Sequence, residues 1–429
     1  MAGLASAAAL GSAGFAVDLY ESRGFLGGRA TSYDVNTGDT VETIDNCQHI
    51  LLRCCVNLLD FYARLGVADR IQFHREFFFI EPGGRTSTLS AGRLPKPFHF
   101  TESFFRLSFL DWKDKLAVAR GILAIQRERS RTDLDSITML AWLRSHGQTD
   151  RAIGRFWNQV LVSAINEDLD RMAASHGFQV FWLGFLSRSN SYEMGIPAVP
   201  LAELYGSEQW KRIGDVRLHT RVPVQRLIFE NGTVKGAIVQ GALTTADYYI
   251  CSQPFERIAA FAPELGFDFS EFSHSPITGI HLWFDRPITQ LPHATLLDRT
   301  VQWMFNKDAG RYLQLVVSAS RGLSEMPRGE VIQLALKELA EFFPQARAAK
   351  LEKAHVVKEI RATFSAGPRL EALRPGTQTS FSNLFLAGDW TRSGWPATME
   401  GAVRSGYIAA DAVAKAANLP IRFLLPDIA

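Results

Sequence analysis

Small and apolar residues fill positions 2–13 at helical spacing, an extended apolar stretch follows over 15–20, and Glu21 closes it. A second helical pattern over 50–65 is preceded by Asp45-Asn-Cys-Gln-His49, in which Asp45 or Asn46 is expected to cap that helix. Five consecutive polar or titratable residues exceed what a cap needs, so a ligand-facing role stands beside it. From residue 73 the texture changes. Phe77-Phe-Phe-Ile80 reads as a strand turned by Glu81-Pro-Gly-Gly84, and helices follow over 114–128, 136–145 and 152–165, with more aromatic surface over 178–185. Near residue 200 extended patterns return within 216–230, 234–239 and 248–254, Asn231-Gly232 marking a hairpin. The stretches 277–284, 301–305 and 312–317 read as strands of another sheet, and 330–342 as a helix. The chain closes on a buried strand over 384–386 that ends in Gly388-Asp389, a loop, and a helix beginning near Met399.

These patterns predict an α/β fold of two domains, each assembled from separate pieces: 1–72, 201–265 and 376–429 form a dinucleotide-type domain, 73–200 and 266–375 a mixed-sheet and helical substrate domain. Composition agrees with a large core. Of 429 residues 47% are hydrophobic, 30 are Phe and 9 Trp, while the net charge of +2 excludes a nucleic-acid-binding protein and an acidic disordered one. Cys47, Cys54, Cys55 and Cys251 fit no zinc spacing and suit a reducing compartment. Cys54-Cys55 reads as two buried thiols in an apolar helix, or as a redox pair. The N-terminal apolar run has no basic residue before Arg23, and Asp18 ends it too early for a membrane span, so a cytoplasmic protein is expected.

A dinucleotide-binding unit runs strand, G-x-G-x-x-G, helix, strand, then an acid for the ribose about 20 positions on. Gly3 fits the third glycine and Glu21 the acid. The first strand and first two glycines would lie upstream of Met1, where the reading frame is expected to encode a short β-branched run ending in G-x-G. Gly27 and Gly28 allow close backbone approach to a ligand, and Arg29 offers a planar fork for phosphate. The helix start near Met399 presents free amides and a partial positive charge, suited to an anionic oxygen or the electron-rich edge of a ring, and Asp389 at a strand end suits a polyol.

In order and spacing, Gly3 to Ser32, Val216 to Pro254 and Asn383 to Val413 resemble the three parts of the FAD domain in the flavin amine oxidase and phytoene desaturase superfamily. The resemblance implies FAD, with Glu21 on the adenosine ribose and backbone at Val222 on adenine. Gly27, Gly28 and Arg29 would lie near the pyrophosphate or flavin, and Asp389 at the ribitol or pyrophosphate. Ala397, Thr398, Met399 and Ala402 would sit at the pyrimidine edge, and Gly3, Arg23 and Gly388 count among the contacts. Amine oxidases of this superfamily place an aromatic directly before Met-Glu-Gly-Ala; here Thr398 stands there, with Trp395 three positions earlier.

Gly388-Asp-Trp-Thr391, Asp45-Asn-Cys-Gln-His49, Phe79-Ile-Glu-Pro-Gly-Gly84 and Ala91-Gly-Arg-Leu-Pro-Lys-Pro97 are similar to bacterial hydroxysqualene dehydroxylases of hopanoid synthesis. That resemblance implies a reaction in which hydroxysqualene loses its oxygen as water and gains hydride to give squalene. Such chemistry asks for a hydride donor, a proton for the departing hydroxyl and a dry apolar tunnel. Asp45 and His49 are the candidates for the proton, with a structural or FAD-contacting role equally open. A C30 isoprenoid substrate implies uptake from the bilayer. The aromatic segment 98–112, flanked by Lys113 and Lys115, reads as a peripheral membrane contact or as a helix packing its rings into the core. A carotenoid-type desaturase is the alternative enzyme, and a prenyl-protein-binding module like the Rab GDP-dissociation inhibitors the non-enzymatic one.

Overall fold

The expected α/β architecture is present in the computed structural model, which describes residues 1–36 and 41–428. Its largest sheet has seven strands in the order Leu351–Phe364, His274–Phe284, Tyr312–Ser318, Trp303–Asp308, His293–Leu296, Glu76–Ile80 and Thr86–Ser90. Only the His293–Leu296 and Glu76–Ile80 pairing is parallel. Alternation along the strands separates two faces. Ile280, Leu282, Met304, Leu313 and Leu315 meet helix Arg328–Phe342 through Val331, Ala335 and Leu339 in an aliphatic core. The opposite face carries His281, Trp283, Gln314, Tyr312 and Phe305, which stand in register across their strands.

The region 101–186 is helical, with two π-wound stretches at Ile153–Trp157 and Val180–Leu186. Asn231 and Gly232 have φ of +49° and +73°, both left-handed as a two-residue hairpin turn requires. The long strand Leu351–Phe364 was not foreseen. It forms one edge of the sheet and alternates charged and apolar residues only irregularly.

In the dinucleotide-type half, Val17–Glu21 pairs in parallel with Val216–Thr220, and Tyr249–Cys251 with Leu384–Leu386. Among the described residues no strand pairing joins the two. Helices Ala2–Ser12 and Met399–Ala416 pack together instead, and small residues set their distance. A Cβ on Gly406 would stand 2.3 Å from the Ala2 carbonyl oxygen, and one on Gly3 2.5 Å from Ser252 Oγ. Gly3 is therefore the close-packing glycine its position predicts.

One expectation fails. The helix foreseen over 50–65 runs only over Val56–Arg64, because Leu51–Leu52 pairs as a strand with Met194 and Gly195. Asp45 ends strand Val41–Asp45 and caps nothing there, nor does Asn46, and Cys54 and Cys55 precede the helix rather than lying in it. The helix start is instead held by buried Glu400, whose carboxylate accepts the Asn57 and Leu58 amides at 3.2 and 2.7 Å. All four cysteines are free thiols. Among the described residues no helix is long and apolar enough to cross a membrane.

Candidate functional site

The residues expected to hold the cofactor converge from all three sequence pieces. Glu21 stands at the carboxyl end of its strand, where Oε1 accepts the Arg23 amide at 2.8 Å and its carbonyl accepts the Val222 amide at 2.9 Å, so Glu21, Arg23 and Val222 are fixed side by side. Gly27 and Gly28 have φ of +100° and +66°. A Cβ on Gly27 would stand 2.2 Å from the Ala30 carbonyl oxygen, whereas nothing lies within 4 Å of one built on Gly28, leaving that backbone open to a ligand. Arg29 reaches Asp389 Oδ1 at 2.5 Å and the Ala362 carbonyl at 3.1 Å.

The loop after strand Leu384–Leu386 is shaped from inside the protein. Gly388 donates its amide to Ser405 Oγ at 2.8 Å, and a Cβ there would stand 2.3 Å from Trp390 Nε1. Arg374, 1% exposed, donates to the carbonyls of Asp389, at 2.9 Å, and Thr391. Sequence reading missed it, as a lone Arg gives no sign of burial. Thr398 caps helix Met399–Ala416 by accepting the Gly401 amide at 3.0 Å, while helix geometry leaves Met399 and Glu400 without intrahelical acceptors. Ala397 and Ala402 are buried beside this start. Trp395 is turned away: its Nε1 donates to Asp427 at 3.0 Å, and its ring packs with Cys54, Leu183 and Ile428.

Asp45 and His49 take different positions. Asp45 is buried; Oδ1 accepts the Ser32 hydroxyl at 2.6 Å and the Leu201 amide at 2.9 Å, and Oδ2 lies 3.8 Å from Lys307 Nζ. His49 Nε2 meets Asn46 Oδ1 at 3.0 Å. Burial pushes the His49 pKa down to about 4, with Asp45 raising it and Lys307 lowering it, so at neutral pH it is an uncharged imidazole. Asp45 accepts both hydrogen bonds through Oδ1, leaving Oδ2 facing Lys307.

The cation beside Asp45 is Lys307, also missed in the sequence. It projects into a cavity of about 390 Å³ together with Asp45, Gln48, His74, Asn306 and Tyr312. Ile196, Pro197, Val199, Pro292 and Phe305 supply an apolar wall. Burial lowers the Lys307 pKa, and Asp45 opposes that. Aromatic rings run from this cavity toward the surface: His74 against His293 at 5.0 Å, His293 against Phe77 at 6.5 Å, Phe77 against Tyr192 at 6.1 Å, and Tyr192 against Phe100 at 4.7 Å. In the segment around Phe100, Phe98, Phe105 and Trp112 are 56%, 43% and 68% exposed.

A left-handed diglycine turn with open backbone, an Arg and an acid facing each other and a helix start at one loop fit a dinucleotide such as FAD. The fold and site thus define a flavin-dependent oxidoreductase. Residues 1–414 match the family model of flavin containing amine oxidoreductases, and the chain belongs to that family. It is 28% identical over 458 residues to a 15-cis-phytoene desaturase of an Oncidium hybrid cultivar, covering 96% of this chain and 76% of that protein. Against a probable zeta-carotene desaturase of Synechococcus elongatus it is 28% identical over 476 residues, covering 97% of each. An oxidoreductase structure from Methanosarcina mazei superposes with a TM-score of 0.70 at 18% identity, covering 97% of this chain and 98% of that one. Putrescine oxidase bound to putrescine gives 0.67 at 16% identity, covering 96% of each. The cofactor is FAD, which when bound supplies hydride chemistry; Glu21, Gly27 to Arg29, Asp389 and the 397–402 turn are the residues that would hold it.

Proposed function

We propose that this flavoprotein acts on a long isoprenoid chain taken up from a membrane surface, and that its reaction is the reductive removal of the hydroxyl of hydroxysqualene to give squalene. The observation that carries the isoprenoid substrate is the apolar wall of the cavity together with the packed rings from His74 to Phe100, in a segment that also exposes Phe98, Phe105 and Trp112. Apolar walls of this kind suit a hydrocarbon body, and their faces favour a nearby carbocation. The resemblance of Asp45 to His49 and of Gly388 to Thr391 to the dehydroxylases supports the reductive direction. Thr398 in place of the aromatic before Met399, and the engagement of Trp395 with Asp427, weigh against an aromatic cage for an amine.

Within this reading Asp45 faces Lys307 and Asn46 holds His49, the rings exclude water, and the exposed aromatic segment beside Lys113 and Lys115 rests peripherally on the inner face of the cell membrane. The relatives named above favour a second reading, desaturation of a carotenoid precursor in the oxidising direction. Product analysis separates the two. The FAD-loaded enzyme is incubated anaerobically with a chemical reductant and hydroxysqualene, and in parallel with phytoene and an electron acceptor. Squalene in the first mixture alone supports dehydroxylation; a desaturated product in the second alone overturns it.

A further inference from the structure

The cavity beside Asp45 is lined by both apolar and polar groups, and its polar groups are of a particular kind. Lys307 belongs to strand Trp303–Asp308 at a break in register: Asn306 faces Leu313 and Asp308 faces Tyr312, leaving Lys307 as the extra residue of a bulge. Bulges re-aim side chains next to sites, and this one accompanies a lysine directed into the cavity. Its Nζ donates to Gln48 Oε1 at 3.1 Å and faces Asp45 at 3.8 Å, which fixes the ammonium without using all three of its donors. Gln48, more than nine-tenths buried, has no partner for its Nε2. Tyr312 shares a 2.7 Å hydrogen bond with His281 Nδ1 and is held flat against Trp283, the rings 4.5 Å apart and 10° from parallel. Whichever of the two donates, the Tyr312 oxygen keeps a lone pair free as an acceptor.

We infer that Lys307, Gln48 and Tyr312 form a subsite for the hydroxyl of an isoprenoid alcohol, whose hydrocarbon body lies along the cavity wall of Ile196, Val199, Pro292 and Phe305. The inference rests on the isoprenoid reading above and specifies where the single oxygen of that substrate is held. A hydroxyl accepts two hydrogen bonds and donates one. Lys307 Nζ and Gln48 Nε2 are the two donors, and Tyr312 Oη the acceptor. A pure hydrocarbon would leave all three unmatched in a buried site, and an ammonium group would be repelled by Lys307; both are discriminated against by desolvation and charge. Lys307 and Gln48 are thus specificity-determining residues, with Asp45 a positioning residue acting through Lys307.

The test is equilibrium binding, independent of turnover. FAD-loaded protein in detergent is titrated with a C15 isoprenoid alcohol and with the alkene of the same skeleton, following tryptophan fluorescence. The wild type is expected to prefer the alcohol by about tenfold or more. Lys307→Met and Gln48→Leu are each expected to bring that ratio near one, by weakening alcohol binding and easing alkene binding, and Lys307→Arg to retain most of it. Thermal melting confirms folding, and if Lys307→Met does not fold, Gln48→Leu alone decides. Equal affinities in the wild type, or a preference that survives in the folded variants, overturn the subsite. A preserved, Lys307-dependent preference with no squalene formed would uphold the subsite while removing the dehydroxylase reading; squalene formation without any preference would do the reverse.

Discussion

Arg29 and Asp389 lie 360 residues apart in the chain and 2.5 Å apart in space. Both stand where the cofactor is expected, so an arginine suited to phosphate and an acid suited to a polyol meet before either meets FAD. The pair keeps the Asp389 side chain, only 11% exposed, from being a lone buried charge. Arg29→Gln is predicted to weaken FAD binding by about tenfold, the equivalent of one lost charge-assisted bond. With Arg29 itself a third exposed, apoprotein stability is predicted to change by no more than about 1 kcal/mol. Flavin absorbance after gel filtration and urea denaturation of the apoprotein measure the two effects.

Arg374 holds the same loop from below. Its guanidinium donates to the carbonyls of Asp389 and Thr391, and Arg374→Met leaves both without that donor. A destabilisation of about 3 kcal/mol is expected, together with loss of bound flavin. Stability unchanged in denaturant would show that the loop is held by other contacts.

Buried histidines set the acid limit. Burial pushes His176, His281 and His293 down to about 3 and His49 to about 4, from an ordinary 6.5. The unfolded chain binds protons that these groups refuse in the folded protein, so their contribution is complete above about pH 6.5 and is lost as pH falls toward 4. Glu400 opposes them: its carboxyl is pushed up to about 7 by burial, so its contribution declines as pH rises from about 4.5 to 7. Four histidines outweigh one carboxyl, and urea midpoints are expected to fall from pH 7 to pH 5. In His293→Leu, which removes two buried nitrogens without partners, the fall should be shallower and stability at pH 7 higher by about 1 kcal/mol.

The exposed rings give a separate prediction. Replacing Phe98, Phe105 and Trp112 together with Ser is expected to reduce co-flotation with anionic liposomes by at least about tenfold, since each ring would add roughly 1 kcal/mol of apolar burial. Flavin content should not change. Flotation equal to wild type would place the membrane contact elsewhere.

Local pattern made the closing strand and helix legible, because Leu384 to Leu386 are buried on all sides and Met399–Ala416 carries its own capping threonine. The segment 45–49 was conspicuous for the right reason, its density of polar groups, yet its role was obscured by distant partners. Asp45 is claimed by Ser32, Leu201 and Lys307, and the helix it was expected to cap is held by Glu400, more than 340 positions away. Lys307 and Arg374 were invisible for a related reason: a single charged residue in a polar stretch reads as solvated, and only tertiary packing buries it. The strand Leu351–Phe364 escaped because an edge strand needs no clean alternation.

The two faces of the seven-stranded sheet divide labour. Helix Arg328–Phe342 is packed against one, and Lys307, Tyr312, Gln314 and His281 are carried near or on the other by the same hydrogen-bonded backbone. Side chains on the inner face can therefore be exchanged singly while the aliphatic side keeps the frame folded. A sheet of this design separates the surface that keeps the frame folded from the surface that meets the cavity.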